Sequence, residues 1–307
     1  MEENMKIVLS MLFVLLTLVG CSTTPTVDEA VINVYTRDAT SGTREAFESG
    51  IGLEKADLTK DAIVVEGNGP MASKVGADQK GIGYVSLTTD FDANNLKPLT
   101  FEDVEATVKN VLDKSYTLSR PFSFTTRASK DFENDTTEKV VAAFIDFLIN
   151  STEGLEAVEG AGGIVDLEKG KPWSELKTNH PVLSEDLSAV SLKTGGSTSV
   201  EKTLKAALEA FQADTGVQFV MNHTGSGDGY KRTLGEEKDS ANAAHIGFAS
   251  REFKSEEDVA PAMVSGEYAL DAVVVVVNKA NTTITNLTAK QLVSIFRGET
   301  TKFSDIK

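Results

Sequence analysis

Apolar residues recur along this chain in two alternating rhythms, one with the period of a strand and one with the period of a helix. Residues 32–36 alternate as a strand, and 43–47 open a helix. Residues 62–65 and "GIGYVSL" at 81–87 read as further strands. In "FEDVEATVKNVL" the apolar Phe101, Val104, Val108 and Leu112 lie at helical spacing, which predicts a helix over 101–112. Strand alternation returns in "LSRPFSFTTR" at 118–127, and "VVAAFIDFLI" at 140–149 is apolar on most faces, as a buried helix would be.

The rhythm then lapses. Residues 166–193 carry Pro172, Pro181 and mixed charge and read as a connector, with Trp173 marking a part that packs down. A second block begins with a strand ending near Lys193 and a loop, "TGGSTS". A helix over 200–211 follows, with Leu204, Ala207, Leu208 and Phe211 on one face and Gly216 as its stop. "VQFVMNH" is a strand, "TGSGDG" a glycine loop, and "HIGFAS" a short strand with a loop at its end. The β-branched run "LDAVVVVVNK" suits a central buried strand, and 288–296 is a helix closed by Arg297 and Gly298. Strands alternating with helices point to an α/β architecture.

With 307 residues, 40% hydrophobic and 25% charged, the chain can bury one large core or two lobes of ordinary size. Residues 5–21, "MKIVLSMLFVLLTLVGC", place a lysine before a short apolar run that ends at the chain's single cysteine. This is the pattern of a bacterial export signal, too short to span a membrane. Residues 18–21, "LVGC", resemble a lipobox, which implies cleavage before Cys21 and lipid on its sulfur; a buried strand with an incidental cysteine is the competing reading. Met5 is an alternative start, because "MEEN" puts acid where a signal's basic end belongs. With Cys21 used as an anchor, no disulfide or thiolate metal site is expected, and His180, His223 and His245 have no metal-ligand spacing. The net charge of −16 disfavours nucleic acid and anionic membrane as partners, yet leaves room for a small anion held by local dipoles.

Several loops have that character. "SGT" at 41–43 joins a strand end to a helix start, where free backbone N–H groups, the helix dipole, a glycine and two hydroxyls suit a small oxyanion. "GGSTS" at 195–199 and "GSGDG" at 225–229 repeat the logic, and "FASR" at 248–251 adds a hydroxyl and a guanidinium. Each loop alone reads more readily as a capped helix or a tight turn; together, in one α/β chain, they favour anion binding.

The set "GGSTSV", "GSGDGYK", "IGFASREF", "LDAVVVVVNK", "NLTAKQLVSIFRGE", "TRDATSGTREAF", "GIGYVSL" and "LSRPFSFTT" resembles the phosphate-binding proteins of bacterial phosphate ABC transporters, over nearly all of the chain after the signal. The resemblance implies a periplasmic-binding-protein-like α/β fold of the second type, with mixed sheets flanked by helices and a ligand cleft between two lobes. In that family the "GSTS" half comes first, whereas here it comes second, so the chain resembles a circular permutant. The implied division is a signal at 1–20, a tether at 21–30, one split lobe of 31–119 plus 278–307, and a second lobe of 120–277 that includes the connector 166–193.

The resemblance further implies that Ser41, Gly42 and Thr43 donate hydrogen bonds to phosphate and that Arg37 supplies charge. Thr198, Ser199, Ser226 and Ser250 would complete the cage from across the cleft. Ser197, Gly227, Arg44, Arg251 and Asp271 are second-rank positions, and a solvated arginine is the competing reading for Arg44 and Arg251. Some family members carry an aspartate at the position of Ser250, where it accepts the ligand's proton; a serine there leaves that role open to Asp271 or Asp228, each of which reads more readily as a hinge or turn residue. The implied function is lipid-anchored capture of inorganic phosphate outside the cytoplasm, by a monomer without cofactor or metal, for delivery to an ABC transporter permease. Two alternatives stay open. One is binding or sensing of another oxyanion such as sulfate, molybdate or an organic phosphate. The other is a phosphatase or serine hydrolase using Ser41 or Ser226, with His223 the nearby base candidate.

Overall fold

The computed structural model describes residues 29–306, so the signal, Cys21 and most of the tether lie outside the described residues. The first half of the chain runs β1 (Asn33–Arg37), α1 (Gly42–Ile51), β2 (Ile63–Val65), α2 (Asn68–Ala77), β3 (Gly81–Ser86), β4 (Leu96–Pro98), β5 (Thr100–Phe101), α3 (Val108–Leu112), β6 (Ser119–Thr126), α4 (Asp135–Asn150) and α5 (Thr152–Gly160). It continues through α6 (Trp173–Leu176), β7 (Ser191–Gly196), α7 (Glu201–Thr215), β8 (Gln218–His223), α8 (Ser226–Thr233), β9 (Ile246–Ala249), β10 (Ser265–Asn278), β11 (Asn286–Leu287) and α9 (Ala289–Phe296).

Among the described residues the main sheet runs in the order β2-β1-β3-β10-β6-β9-β7-β8, with β4 also on β10, and β11 pairs with β5 apart from it. Each end of the sheet is parallel (β2-β1-β3 and β9-β7-β8), while β10 and β6 pair antiparallel with their neighbours in the middle. β10 joins the halves: Val273–Val277 pair with β3, and Ser265–Ala272 pair with β6. Its valines are apolar throughout because both faces are covered. Val273, Val275 and Val277 pack with Phe47, Tyr84 and Phe296, whereas Val274 and Val276 pack with Tyr35, Met71 and Val75. On the far side of β6, Phe122, Phe144, Phe147, Trp173, Leu204, Phe211 and Phe248 form a separate apolar cluster.

Local signals explain most helix boundaries. Helix α7 buries Leu204, Ala207, Leu208 and Phe211 and ends at Gly216, whose φ of 75° is the left-handed conformation that closes a helix without a Cβ penalty. Helix α9 begins with a capping box, Thr288 and Gln291 each bonding the other's backbone N–H.

Three expectations change. The helix predicted over 101–112 shrinks to Val108–Leu112: Phe101 is taken into β5 against β11, Glu102 and Asp103 adopt φ of 50° and 62°, and Thr107 caps a fresh start by accepting from Asn110 N. Strand β7 runs on through Gly195 and Gly196 instead of ending near Lys193, because both glycines stay in register with β8 and β9. The "GSGDG" stretch is helix from Ser226 onward, with Gly225 as its cap. The connector is no loose join, as Trp173, Leu176, Val182 and Leu187 are buried in the second cluster and the Trp173 indole donates to Asp214. The two described ends meet, with Ile32 N donating to Thr301 O at 2.8 Å and Val31 bridged to Lys302.

Candidate functional site

Strand β1 delivers Arg37 to its end, three residues turn, and Ser41 caps α1 by accepting from Arg44 N at 3.2 Å. Strand β7 delivers Ser197–Ser199 ahead of α7, β8 leads through Gly225 into α8 at Ser226, and β9 ends at Ser250. The starts of α1, α7 and α8 therefore meet, with α2 close by. Two glycines make the approach possible. At Gly42 a Cβ would lie 2.4 Å from Ser226 Oγ, and at Gly196, whose φ is 121°, it would lie 2.0 Å from Phe248 O.

The hydroxyls form one buried network. Thr43 Oγ1 and Ser199 Oγ are 2.8 Å apart across the junction of the two halves. Ser197 Oγ donates to Ser250 Oγ at 2.9 Å, Ser250 Oγ and Ser226 Oγ are 3.2 Å apart, and Ser250 N donates to Ser226 Oγ at 3.0 Å. Ser41, Thr43, Ser197, Ser199, Ser226 and Ser250 are all buried. Thr198 Oγ1 accepts from Arg37 Nη2 at 3.2 Å and from Asn68 N, at the start of α2, at 3.1 Å. Both of its lone pairs are then occupied, and its own proton remains to be donated. Gly227 N donates to Thr40 O at 3.3 Å, tying α8 to the turn before α1.

Arg37 is 1% exposed, and its Nε is buried without a hydrogen-bond partner. Burial pulls its guanidinium below the ordinary arginine range; the Asp38 charge opposes that shift and the Arg120 charge adds to it. Arg120, which the sequence reading did not single out, reaches the same place from β6. It donates Nε and Nη2 to Asp271 Oδ2 at 3.0 and 2.8 Å and Nη1 to Ser250 Oγ at 3.2 Å. Its signal was in the sequence: Arg120 shares strand parity with the buried Phe122 and Phe124, so its side chain points inward.

Asp271 is opposite Arg120 in the β10–β6 register and also accepts from Ser86 Oγ and Leu87 N at 2.9 and 3.1 Å. Burial pushes its carboxyl up, against the pull of Arg120 and these donors. It is committed to holding Arg120. Asp228 accepts from Thr224 Oγ1 and pairs with Arg232, as a residue bracing its own turn. Arg44 and Arg251 are not the solvated arginines considered above. Arg44 is drawn along α1 to Glu48 at 2.6 Å and back to Arg37 O, and the buried Arg251 is clasped by Glu257 at 2.7 and 2.8 Å. Carboxylates engage both guanidiniums, although the Arg251 stem packs against Gly42 beside Ser226.

No nucleophile–base pair emerges around Ser41 or Ser226. His223 is bonded to Ser197 O and Thr194 Oγ1 at 2.9 and 3.0 Å, and burial pulls its ring down to about 4. His180 pairs with Asp146 and His245 with Glu133. Among the described residues no cluster of histidine, cysteine, aspartate and glutamate could hold a metal ion, and no helix is long and apolar enough to cross a membrane.

What converges is a set of helix N-termini, O–H donors and two buried guanidiniums, an arrangement suited to a compact oxyanion. Known proteins agree with that reading. A family described as a PBP superfamily domain matches residues 183–306. The phosphate-binding protein PstS 2 of Streptococcus agalactiae serotype V is 30% identical over 299 residues, covering 94% of this chain and 92% of that protein. PstS 2 of Streptococcus pneumoniae serotype 4 is 30% identical over 283 residues, covering 90% and 88%. A solved phosphate-binding protein of a phosphate ABC transporter from Streptococcus pneumoniae TIGR4 superposes with a TM-score of 0.63 at 27% identity, covering 91% of this chain and all of that one.

Proposed function

We propose, from the premise that this chain belongs to the PstS family of phosphate-binding proteins, that it captures inorganic phosphate outside the cytoplasm and passes it to an ABC transporter. The observation that carries the reading is the meeting of buried hydroxyls from helix starts in both halves, Thr43 with Ser199 and Gly42 against Ser226, beside the incompletely bonded Arg37. In this reading Ser41, Gly42 and Thr43 hold the ion from one side, and Thr198, Ser199, Ser226 and Ser250 hold it from the other. Arg37 supplies the charge, and Arg120 orients Ser250.

Binding then needs no bond-making. Backbone N–H groups, O–H donors and helix dipoles replace the water of the dianion, and the cost of desolvating Arg37 is offset when a negative charge sits against it. The lobes are residues 31–119 plus 278–307 and residues 120–277, and the separate apolar clusters on either side of the β6–β10 pairing support that division. Closure about those two strands would desolvate the ion. Lipid on Cys21, action as a monomer and docking on a permease belong to the same proposal.

Calorimetric titration of the chain without its first 21 residues, with Thr43→Ala and Ser226→Ala alongside, tests the site. Phosphate binding that is saturable in the parent and weaker in both variants supports it. Unchanged affinity in the variants refutes the assignment.

A further inference from the structure

Hydrogenphosphate and sulfate share size, shape and charge, and differ in one hydrogen. Once water is excluded, the phosphate hydroxyl needs an acceptor, and a site that offers one discriminates strongly because the acceptor is left unpaired against sulfate. The hydroxyl network is poor in acceptors: Ser250 Oγ already accepts from Arg120 and Ser197, and Thr198 Oγ1 from Arg37 and Asn68. Building on the phosphate reading above, we infer that Asp38 is the residue that accepts the ligand's hydroxyl hydrogen and so sets the preference for hydrogenphosphate over sulfate.

The geometry of Asp38 suits the task. Its Oδ1 is pinned by Thr40 N and Thr40 Oγ1 at 3.0 and 2.6 Å, which fixes the direction of the other oxygen. Its Oδ2 is buried without a hydrogen-bond donor, 3.6 Å from Arg37 Nη2, and that same Nη2 donates to Thr198 Oγ1. Asp38 and Thr198 also line one cavity of about 480 Å³ that opens between the two halves. The free oxygen, the arginine and the threonine thus share one corner of the site.

The other carboxylates are excluded on physical grounds. Asp271 is saturated by Arg120, Ser86 and Leu87, and Asp228 is bonded to Thr224 and paired with Arg232. Glu66 and Glu201 are exposed, where water competes for any hydrogen bond. Glu48 also has a buried oxygen without a donor, but it stands six residues into α1, about 9 Å along the axis from the helix start that faces the ion. Among the described residues, Asp38 combines a buried oxygen that accepts no hydrogen bond with a place at the junction.

The test is calorimetric titration of the parent and Asp38→Asn with phosphate and with sulfate. Asparagine keeps the oxygen that Thr40 holds and replaces the free acceptor with a donor. The parent is expected to prefer phosphate. In Asp38→Asn phosphate affinity should fall about tenfold or more while sulfate affinity holds or rises, so the selectivity ratio collapses. Equal weakening of both anions would mean that Asp38 only steadies Arg37, and would overturn the inference, as would no change in either. A parent that binds sulfate as tightly as phosphate overturns this inference and leaves the oxyanion site standing. A parent that binds neither overturns the proposed function and the inference with it.

Discussion

The two halves that meet at the hydroxyl network are built on opposite plans. On the β7, α8 and β9 side, every serine is bonded to another: Ser197 to Ser250, Ser250 to Ser226, and Arg120 braces the group through its pair with Asp271. On the β1 and α1 side, polar atoms stay without hydrogen bonds, with Arg37 Nε and Asp38 Oδ2 buried and Asp38 Oδ2 held only by the Arg37 ion pair at 3.6 Å. One side is a finished template. In the proposed reading the other carries most of the polar cost that a ligand would relieve, Arg251 Nε after β9 being the exception, so stability and recognition are largely divided between the halves.

If so, mutations on the two sides should fail in different assays. The largest effect is expected from Asp271→Ala, which strands the buried Arg120 charge and should cost about 3–5 kcal/mol of unfolding free energy. Denaturant unfolding checks it, and a loss below about 1 kcal/mol would show that the brace is not needed. Next comes acid sensitivity. His223, on the template side, ionises near 4 when folded against an ordinary 6.5, so it stabilises fully above pH 6.5 and that contribution is lost as pH falls from 6.5 through about 4. The loss should reach about 3 kcal/mol, and His223→Asn should flatten that limb of the stability–pH curve.

On the recognition side, Arg37→Met should weaken phosphate binding about a hundredfold, on the order of 2–3 kcal/mol, while thermal stability holds or rises because a desolvated charge has been removed. A matched loss of stability would break the contrast between the halves. The smallest effects belong to Thr43→Ala and Ser226→Ala, each about 1 kcal/mol or roughly fivefold in affinity, since each removes one neutral hydrogen bond.

How far the sequence disclosed this depended on whether local or distant contacts decided a segment. The valine run of β10 was legible because both faces of that strand are buried, but its opening residues, Ser265–Glu267, carry no apolar side chain and become strand by pairing with β6. Residues 101–112 kept a helical rhythm, yet pairing of Phe101 with Leu287, far along the chain, overrode it. Among the candidate site residues, Ser41–Thr43, Thr198, Ser199 and Ser226 were legible because glycine and hydroxyls before a helix announce a helix N-terminus, and Ser250 because its hydroxyl stands in the loop at a strand end. Arg120 was visible only as an inward-facing charge in a strand, and Asp38 was hidden in a turn where aspartate is ordinary. What set Asp38 apart was an oxygen with no donor, a property of the folded chain.

The most direct check of the central claim is titration of the protein without its first 21 residues with inorganic phosphate, followed by calorimetry. One-to-one saturable binding is expected, weakened about a hundredfold by Arg37→Met with the fold intact. Absence of saturable phosphate binding, or binding indifferent to Arg37, would contradict it.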